Sequence, residues 1–247
     1  MQIDAFLTPY FPEQENLFKD AIVVMIDVLR ASTTITTALF NGAKDVIPSD
    51  SLDKAVRIYG NLSREVRFLG GERNGLKPDG FDAGNSPYEY TEQAVKGKNV
   101  IISTTNGTRT FIKAKNAKHR IVGAFVNLNA VLDFIFNDID STEANYPNTK
   151  VCFLCSGTNG RISYEDTLCA GAMINSIYNR YLYKGVQISD SAEVARYLYN
   201  FHSTNMKEFL MTREHPKHLQ KIGFERDIEL CFTFDKYPVV PLICPAR

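Results

Sequence analysis

The chain has 247 residues, enough for one large domain or two small ones, and 44% of them are hydrophobic. Its 28 basic and 28 acidic residues give a formal net charge of zero, which argues against broad binding to nucleic acid or anionic membrane. No apolar run reaches the roughly 18–20 residues of a membrane span, and the start of the chain lacks the pattern of a signal peptide, so we expect a cytoplasmic protein.

Apolar runs alternate with helical patterns along the chain, which predicts an α/β fold. The near-continuous apolar run Ala21–Val28 is typical of a strand covered on both faces. Predicted strands lie at 21–28, 66–69, 100–103, 119–125, 151–155, 227–233 and 237–242. Predicted helices lie at 35–42, 52–59, 86–97, 127–136, 163–177, from 190 onwards and at 201–223. We expect a single domain over 1–247, and the polar stretch 140–149 could divide it into two lobes.

Three loops share one pattern, in which Gly, Ser, Thr or Asn residues and an arginine follow a predicted strand. They are Asp27-Val-Leu-Arg-Ala-Ser-Thr-Thr34, Ser103-Thr-Thr-Asn-Gly-Thr-Arg109 and Cys155-Ser-Gly-Thr-Asn-Gly-Arg161. Such turns direct backbone N–H groups at an anion, and the following helix adds its positive dipole end. Each loop could instead be an ordinary capped turn, but three together favour one site for a doubly charged oxyanion such as phosphate.

Particular side chains in these loops are candidates for holding the oxyanion. Arg30, Arg109 and Arg161 can clamp its oxygens with two hydrogen bonds each. The predicted substrate-binding residues are Ser32, Thr33, Thr34, Arg73, Ser103, Thr104, Thr105, Asn106, Gly107, Thr108, Gly157, Thr158, Asn159 and Gly160.

Four carboxylates are candidate metal ligands. Asp27 ends a buried strand, where a lone carboxylate is costly unless it has a function, and it could ligate a metal or act as a nucleophile. Glu165 and Asp166 open the helix after the third loop and could hold Mg²⁺, although acids there also stabilise the helix dipole. Glu72 lies in a charged, glycine-rich segment and is a further candidate.

Cysteine and histidine chemistry gives weaker signals. Cys155 and Arg161 fit the short C-x₅-R spacing of cysteine phosphatases, which leaves a cysteine-dependent phosphatase open as an alternative. Cys152 and Cys155 are interpreted as small buried residues of a strand rather than a redox or zinc pair. His215 and His218 are three residues apart in a polar helical pattern, which we interpret as a solvent-exposed face.

Several long motifs, found in order between Asp27 and Val240, resemble the 2-phosphosulfolactate phosphatase family. Besides the three loops they include Leu69-Gly-Gly-Glu-Arg-Asn-Gly75 and Phe81-Asp-Ala-Gly-Asn-Ser-Pro-Tyr-Glu-Tyr90. The resemblance implies a three-layer α/β/α fold around a mixed, largely parallel sheet. It also implies a Mg²⁺-dependent phosphatase that converts 2-phosphosulfolactate to sulfolactate and phosphate, a step of coenzyme M biosynthesis in methanogens.

The predicted mechanism is phosphomonoester hydrolysis in a cleft at the carboxyl ends of three strands. Asp27, with Glu165 or Asp166, would hold Mg²⁺, and the three arginines would stabilise charge in the transition state. A covalent intermediate on Asp27 and direct attack by water are both open. So are a homodimer and a non-catalytic protein that binds anionic metabolites.

Overall fold

The computed structural model describes residues 1–10, 16–114, 116–141 and 145–243, without the side chains of Thr108, Arg109, Asn145 and Pro147. The strands are β1 Gln2–Phe6, β2 Ile22–Ile26, β3 Asp45–Pro48, β4 Arg67–Gly71, β5 Asn99–Ser103, β6 His119–Gly123, β7 Lys150–Cys155 and β8 Gln187–Ile188. The helices are α1 Ala31–Phe40, α2 Leu52–Gly60, α3 Glu92–Val95, α4 Gly107–Lys113, α5 Leu128–Asp140, α6 Asn145–Asn148, α7 Tyr164–Tyr181, α8 Asp190–His202, α9 Met206–Met211, α10 Glu214–Lys221 and α11 Glu225–Cys231.

The described strands form two parallel sheets. A five-stranded sheet has the order β6-β2-β7-β1-β8, and a three-stranded sheet has the order β3-β5-β4. Ile26 of β2 pairs with Cys155 of β7, so Asp27 and Ser156 leave neighbouring strands side by side. Strands before and after the stretch 140–149 pair in the same sheet. The predicted α/β class with largely parallel strands is confirmed, but the described strands form two separate sheets rather than one.

The five-stranded sheet is covered on both faces, as the apolar run at β2 predicts. Ile22, Val24 and Ile26 join one core cluster, which includes residues of α5, α7 and α8. Val23 and Met25 point to the other face and join a second cluster with residues of α1 and of the three-stranded sheet. This alternation is the period of two that a strand requires, and it confirms the layered α/β arrangement.

Several predicted elements differ from the observed ones. The predicted strand at 227–233 is wrong, since α11 occupies most of it and buries Asp227, Ile228, Leu230 and Cys231, a helical spacing. The predicted strand at 237–242 is also wrong, since it forms only an isolated bridge from Leu242 to Ile121. The helix predicted over 86–97 is a short 3₁₀ turn at Pro87–Glu89 followed by α3.

Two other differences are a predicted helix that turns divide into shorter ones and a strand that was not predicted. The long helical pattern 201–223 contains the end of α8 and the short helices α9 and α10, because turns interrupt it near 203–205 and 212–213. Pro216 lies in the first turn of α10, where the missing N–H of proline removes no helical hydrogen bond. The short strand β1 was not predicted, although its apolar residues Ile3 and Ala5 alternate as a strand requires.

In the part of the chain that the structure describes, no helix is both long and apolar enough to cross a lipid bilayer.

Candidate active site

The three predicted loops meet where β2, β5 and β7 end. A Cβ atom built on Gly107 of the second loop would lie only 2.6 Å from Oδ2 of Asp27 in the first loop. Asn106 Oδ1 accepts a hydrogen bond of 3.4 Å from the backbone N–H of Asn159 in the third loop. Only glycine allows the close approach at position 107, so the backbone of the second loop lies directly against the Asp27 carboxylate.

Asp27 is the central carboxylate of this region. Its side chain is buried, and Oδ1 accepts a hydrogen bond of 3.3 Å from the N–H of Ala31 at the start of α1. Burial raises the pKa of Asp27 to about 7, and the charges of Glu72 and Glu165 act in the same direction. His215 and the Ala31 hydrogen bond lower the pKa, but they do not offset burial.

Asp166 joins the first and third loops. Its Oδ1 accepts a hydrogen bond of 2.8 Å from Val28 N, and its Oδ2 accepts one of 2.9 Å from Gly157 N. Burial holds the pKa of Asp166 well above its usual value, and the charges of Asp27 and Glu165 add to this effect. Gly157 adopts a positive φ of 60°, a conformation that favours glycine, and this directs its N–H to the carboxylate.

Glu72 joins the glycine-rich segment to the second loop. Its Oε1 accepts a hydrogen bond of 2.6 Å from Thr105 N, and its Oε2 accepts one of 2.7 Å from Gly75 N. The neighbouring Arg73 donates a hydrogen bond of 3.0 Å to the hydroxyl of Ser103, at the end of β5. The charged loop that the sequence singled out therefore lies against the site.

Glu165 is paired with a residue that the sequence reasoning missed. Its Oε1 lies 2.7 Å from Nδ1 of His215, and the Thr158 hydroxyl lies 3.1 Å from the same nitrogen. Burial lowers the pKa of His215, but the hydrogen bond to Glu165 and the charges of Glu165 and Asp27 raise it above its usual value. The prediction that His215 faces solvent is wrong, because α10 turns it inwards and leaves His218 exposed.

Arg30 is engaged inside the protein rather than open to a ligand. Its Nη1 forms an ion pair of 2.7 Å with Oδ2 of Asp227, and its Nη2 donates a hydrogen bond of 2.7 Å to Gly75 O. The guanidinium also lies 4.0 Å from the ring centre of Phe224. The other oxygen of Asp227 accepts a hydrogen bond of 2.7 Å from the Ser86 hydroxyl. Arg30 therefore connects the first loop to α11.

The hydroxyls of the first loop are also used within the fold. The Ser32 hydroxyl accepts a hydrogen bond from Asp27 N, Thr33 donates to Val28 O, and Thr34 donates to Asn85 O. All three side chains are buried. They fix the shape of the loop around Asp27, and the predicted donation from these hydroxyls to phosphate would require these bonds to change.

The remaining predicted ligands lie at different depths. Thr104 is buried beside Gly107, whereas Asn159 and Arg161 are exposed at the tip of the third loop. Gly160 packs on Tyr10, whose ring would lie 3.0 Å from an added Cβ. The side chains of Thr108 and Arg109 lie outside the described residues, so the predicted role of Arg109 stays a prediction from sequence.

Cys155 does not have the surroundings of a nucleophile. Its side chain is completely buried in the core at the end of β7. Burial holds the pKa of the thiol well above its usual value, and the charges of Asp166 and Glu165 raise it further. A nucleophilic cysteine needs a lowered pKa and an electropositive environment. The geometry therefore disfavours the alternative of a cysteine-dependent phosphatase.

We call Asp27, Glu72, Glu165 and Asp166 the carboxylate cluster, because the charges of Glu72 and Glu165 act on Asp27 and those of Asp27 and Glu165 act on Asp166. Among the described residues, no three His, Cys, Asp or Glu side chains form a group that could hold a metal ion by themselves. Mg²⁺ usually takes only one or two carboxylates and completes its shell with waters and substrate phosphates. The oxygen donors and mutual repulsion of the cluster fit such a cation, with substrate supplying part of its shell.

The fold and site define an α/β protein with buried carboxylates beside glycine-rich loops. A family model described as 2-phosphosulpholactate phosphatase matches residues 7–245. The chain belongs to this family, whose members are phosphoric monoester hydrolases, and it is an enzyme of that class. The resemblance drawn from the sequence motifs is thereby confirmed.

Curated relatives agree with the family match. A protein of Clostridium perfringens (strain SM101 / Type A) is 40% identical over 94% of this chain and 90% of its own length. A protein of Clostridium tetani is 37% identical over 98% of this chain and 97% of its own length. One of Caldanaerobacter subterraneus subsp. tengcongensis is 37% identical over 90% of this chain and 88% of its own length. Each is named a probable 2-phosphosulfolactate phosphatase.

Proposed function

We propose that the chain is a Mg²⁺-dependent phosphatase that hydrolyses 2-phosphosulfolactate, or a closely related small phosphohydroxyacid. The observation that supports this most directly is the carboxylate cluster, which lies buried where the loops after β2, β5 and β7 meet. The names of the relatives support the substrate. In the reaction, water forms a new bond to phosphorus, the bond to the sulfolactate oxygen breaks, and a proton is transferred to that leaving oxygen.

Asp27 is the first candidate to hold the metal, together with Asp166 or Glu165. Glu72 approaches the same region from the glycine-rich segment, through its hydrogen bond to Thr105 N. When bound, Mg²⁺ would polarise the phosphoryl oxygens and lower the pKa of a bound water. A cation would also favour the ionised form of Asp27, whose pKa lies near 7 in its absence.

The loops are suited to orient the phosphoryl group beside the carboxylate cluster. Helix α7, of 18 residues, begins shortly after the third loop, and its first turn supplies unpaired N–H groups and the positive end of the helix dipole. Arg73 adds positive charge next to Ser103 at the end of β5, and Arg161 adds it at the exposed tip of the third loop. We assign Arg30 to holding the first loop in place through Asp227, rather than to contacting the transition state.

A substrate with phosphate, carboxylate and sulfonate groups needs positive charge close to the site, because the chain as a whole has a net charge of zero. The test is phosphate release from 2-phosphosulfolactate and from 2-phospholactate, which lacks the sulfonate, with Mg²⁺ or with EDTA. We expect release that depends on Mg²⁺ and is faster, by kcat/KM, for the sulfonated ester. Tight binding of both esters without any phosphate release would instead identify a non-catalytic binding protein.

Three related expectations stay proposals. The sequence pattern supports a cytoplasmic location, the family resemblance supports a step in coenzyme M biosynthesis, and a homodimer is open. Sedimentation equilibrium of the purified chain would settle the last, since a dimer would double the apparent mass of 27.8 kDa.

A further inference from the structure

His215 joins two segments that are far apart in sequence. It is the second residue of α10, and its Nδ1 lies 2.7 Å from Oε1 of Glu165 in the first turn of α7. The Thr158 hydroxyl, on the third loop, lies 3.1 Å from the same nitrogen. The side chain of His215 is only 16% exposed. The imidazole is therefore held between the carboxylate cluster and the third loop.

Glu165 depends on this contact. Its side chain is 3% exposed, and the contact with His215 Nδ1 is the one side-chain hydrogen bond that the described part of the chain shows for Glu165. A buried carboxylate without a partner is costly, and a histidine that binds a carboxylate fixes the orientation of both groups. A carboxylate oxygen is usually the acceptor, so we assign Nδ1 as the donor; Nε2 has no protein partner among the described residues.

The helix that carries His215 is anchored on both sides. Pro216 and Leu219 of α10 are buried, which holds the first turn of this helix against the rest of the protein. The next helix, α11, carries Asp227, which forms the buried ion pair with Arg30. The C-terminal helices therefore contact the site at two points, and His215 is placed by packing rather than by a surface loop.

We propose that His215 is a positioning residue of the active site. Its Nδ1 holds the Glu165 carboxylate beside the third loop, in the arrangement that metal and phosphate require. The expected effects on kcat and KM rest on the proposed function. The expected effect on the placement of the Glu165 carboxylate rests on the geometry alone. This assignment predicts that Mg²⁺ affinity and turnover require the hydrogen bond at Nδ1 and do not require Nε2.

The test uses two substitutions that separate the ring nitrogens. The amide nitrogen of His215→Asn can replace Nδ1, whereas that of His215→Gln reaches only to the position of Nε2. His215→Ala removes both, and His218→Ala is the matched control on the exposed face of the same helix. For each full-length variant we would measure Mg²⁺ affinity by calorimetry, unfolding in urea, and kcat and KM for phosphate release from 2-phosphosulfolactate.

We expect His215→Ala and His215→Gln to lose roughly 10- to 100-fold in Mg²⁺ affinity and in kcat/KM, as is typical when a partner of a metal ligand is removed. His215→Asn should recover most of both, and His218→Ala should match the wild type. If His215→Ala does not fold, the comparison of Asn with Gln still decides the question.

Two results would overturn the assignment. One is a His215→Asn variant no better than His215→Gln, which would mean that a donor at the position of Nδ1 is not what the site requires. The other is a folded His215→Ala variant with wild-type Mg²⁺ affinity and turnover. If the wild type itself releases no phosphate, the proposed function fails, while the order of Mg²⁺ affinities among the variants still tests the role of His215.

Discussion

Asp27 is the residue on which the site depends most. Its position after a buried strand predicts a special role from sequence, and the structure adds the physical consequence, a pKa of about 7 caused first by burial. A carboxyl whose pKa is raised on folding binds its proton more tightly in the folded state. Its contribution to stability is therefore complete below the unfolded pKa near 3.8 and is lost as pH rises through about 7.

Asp27→Asn should remove this pH dependence in metal-free protein. Between pH 5 and pH 8, the unfolding free energy of the variant should rise relative to wild type by on the order of 2 kcal/mol, because the wild type must ionise a buried group. Urea unfolding in EDTA at both pH values measures the difference. A constant difference between the two proteins would show that Asp27 titrates normally. Added Mg²⁺ should stabilise the wild type more at pH 8 than at pH 5.

The ion pair of Arg30 with Asp227 should be important for stability. Asp227→Asn leaves the guanidinium buried without its counter-charge, and such a loss typically costs about 3–5 kcal/mol. Urea unfolding of this variant should show a large decrease in midpoint. Glu92→Gln breaks the exposed pair with Lys96 and should leave the midpoint unchanged. Equal, small effects in both variants would contradict a structural role for Arg30.

Cys155 gives the prediction that separates two phosphatase classes. Cys155→Ala should keep the kcat of the wild type, because the thiol is buried in the core and its pKa is raised. A small loss of stability is expected from the cavity that remains. Complete loss of turnover in a folded variant would revive the cysteine mechanism.

At the scale of elements, we expect turnover to require the close approach of α4 to the first loop. A methyl group at Gly107 would lie 2.6 Å from Asp27 Oδ2 and 2.9 Å from the Cβ of Ala31, so Gly107→Ala must push the loops apart. We expect a decrease in kcat of more than about tenfold, since misplaced catalytic groups lose much of their effect. Gly60→Ala, at the end of α2, meets no atom within 4 Å and should leave kcat unchanged.

The sequence predicted best those elements whose pattern is local. The apolar run at β2 predicted a strand covered on both faces, and the glycine-rich loops predicted turns after strands. The strand predicted at 227–233 failed because a short apolar run fits a helix or a strand equally, and only packing decided for α11. His215 was missed for a similar reason, since α10 is polar overall and nothing local indicates that its first turn faces Glu165.

At the scale of the whole molecule, the site is assembled from segments spread over most of the chain. Asp27 and Glu72 come from two different loops, and Asp166 comes from the first turn of α7. His215 and Asp227 come from the C-terminal helices. The sequence motifs identify the loops but do not predict which loops touch, because the contacts between loops depend on the strand order of two separate sheets. The predicted hydroxyl ligands of the first loop show this limit, because their hydrogen bonds are made inside the protein.

The central claim is that the carboxylate cluster, with Asp27 at its centre, forms a Mg²⁺-dependent phosphatase site. The most direct test is phosphate release from 2-phosphosulfolactate during a titration with Mg²⁺, for wild type and Asp27→Asn. The account predicts that release by the wild type rises from the EDTA baseline to saturation. Asp27→Asn should stay at least about 100-fold slower, as expected for the loss of a metal ligand or nucleophile. Equal turnover in EDTA and Mg²⁺, or near wild-type turnover by Asp27→Asn, would contradict it.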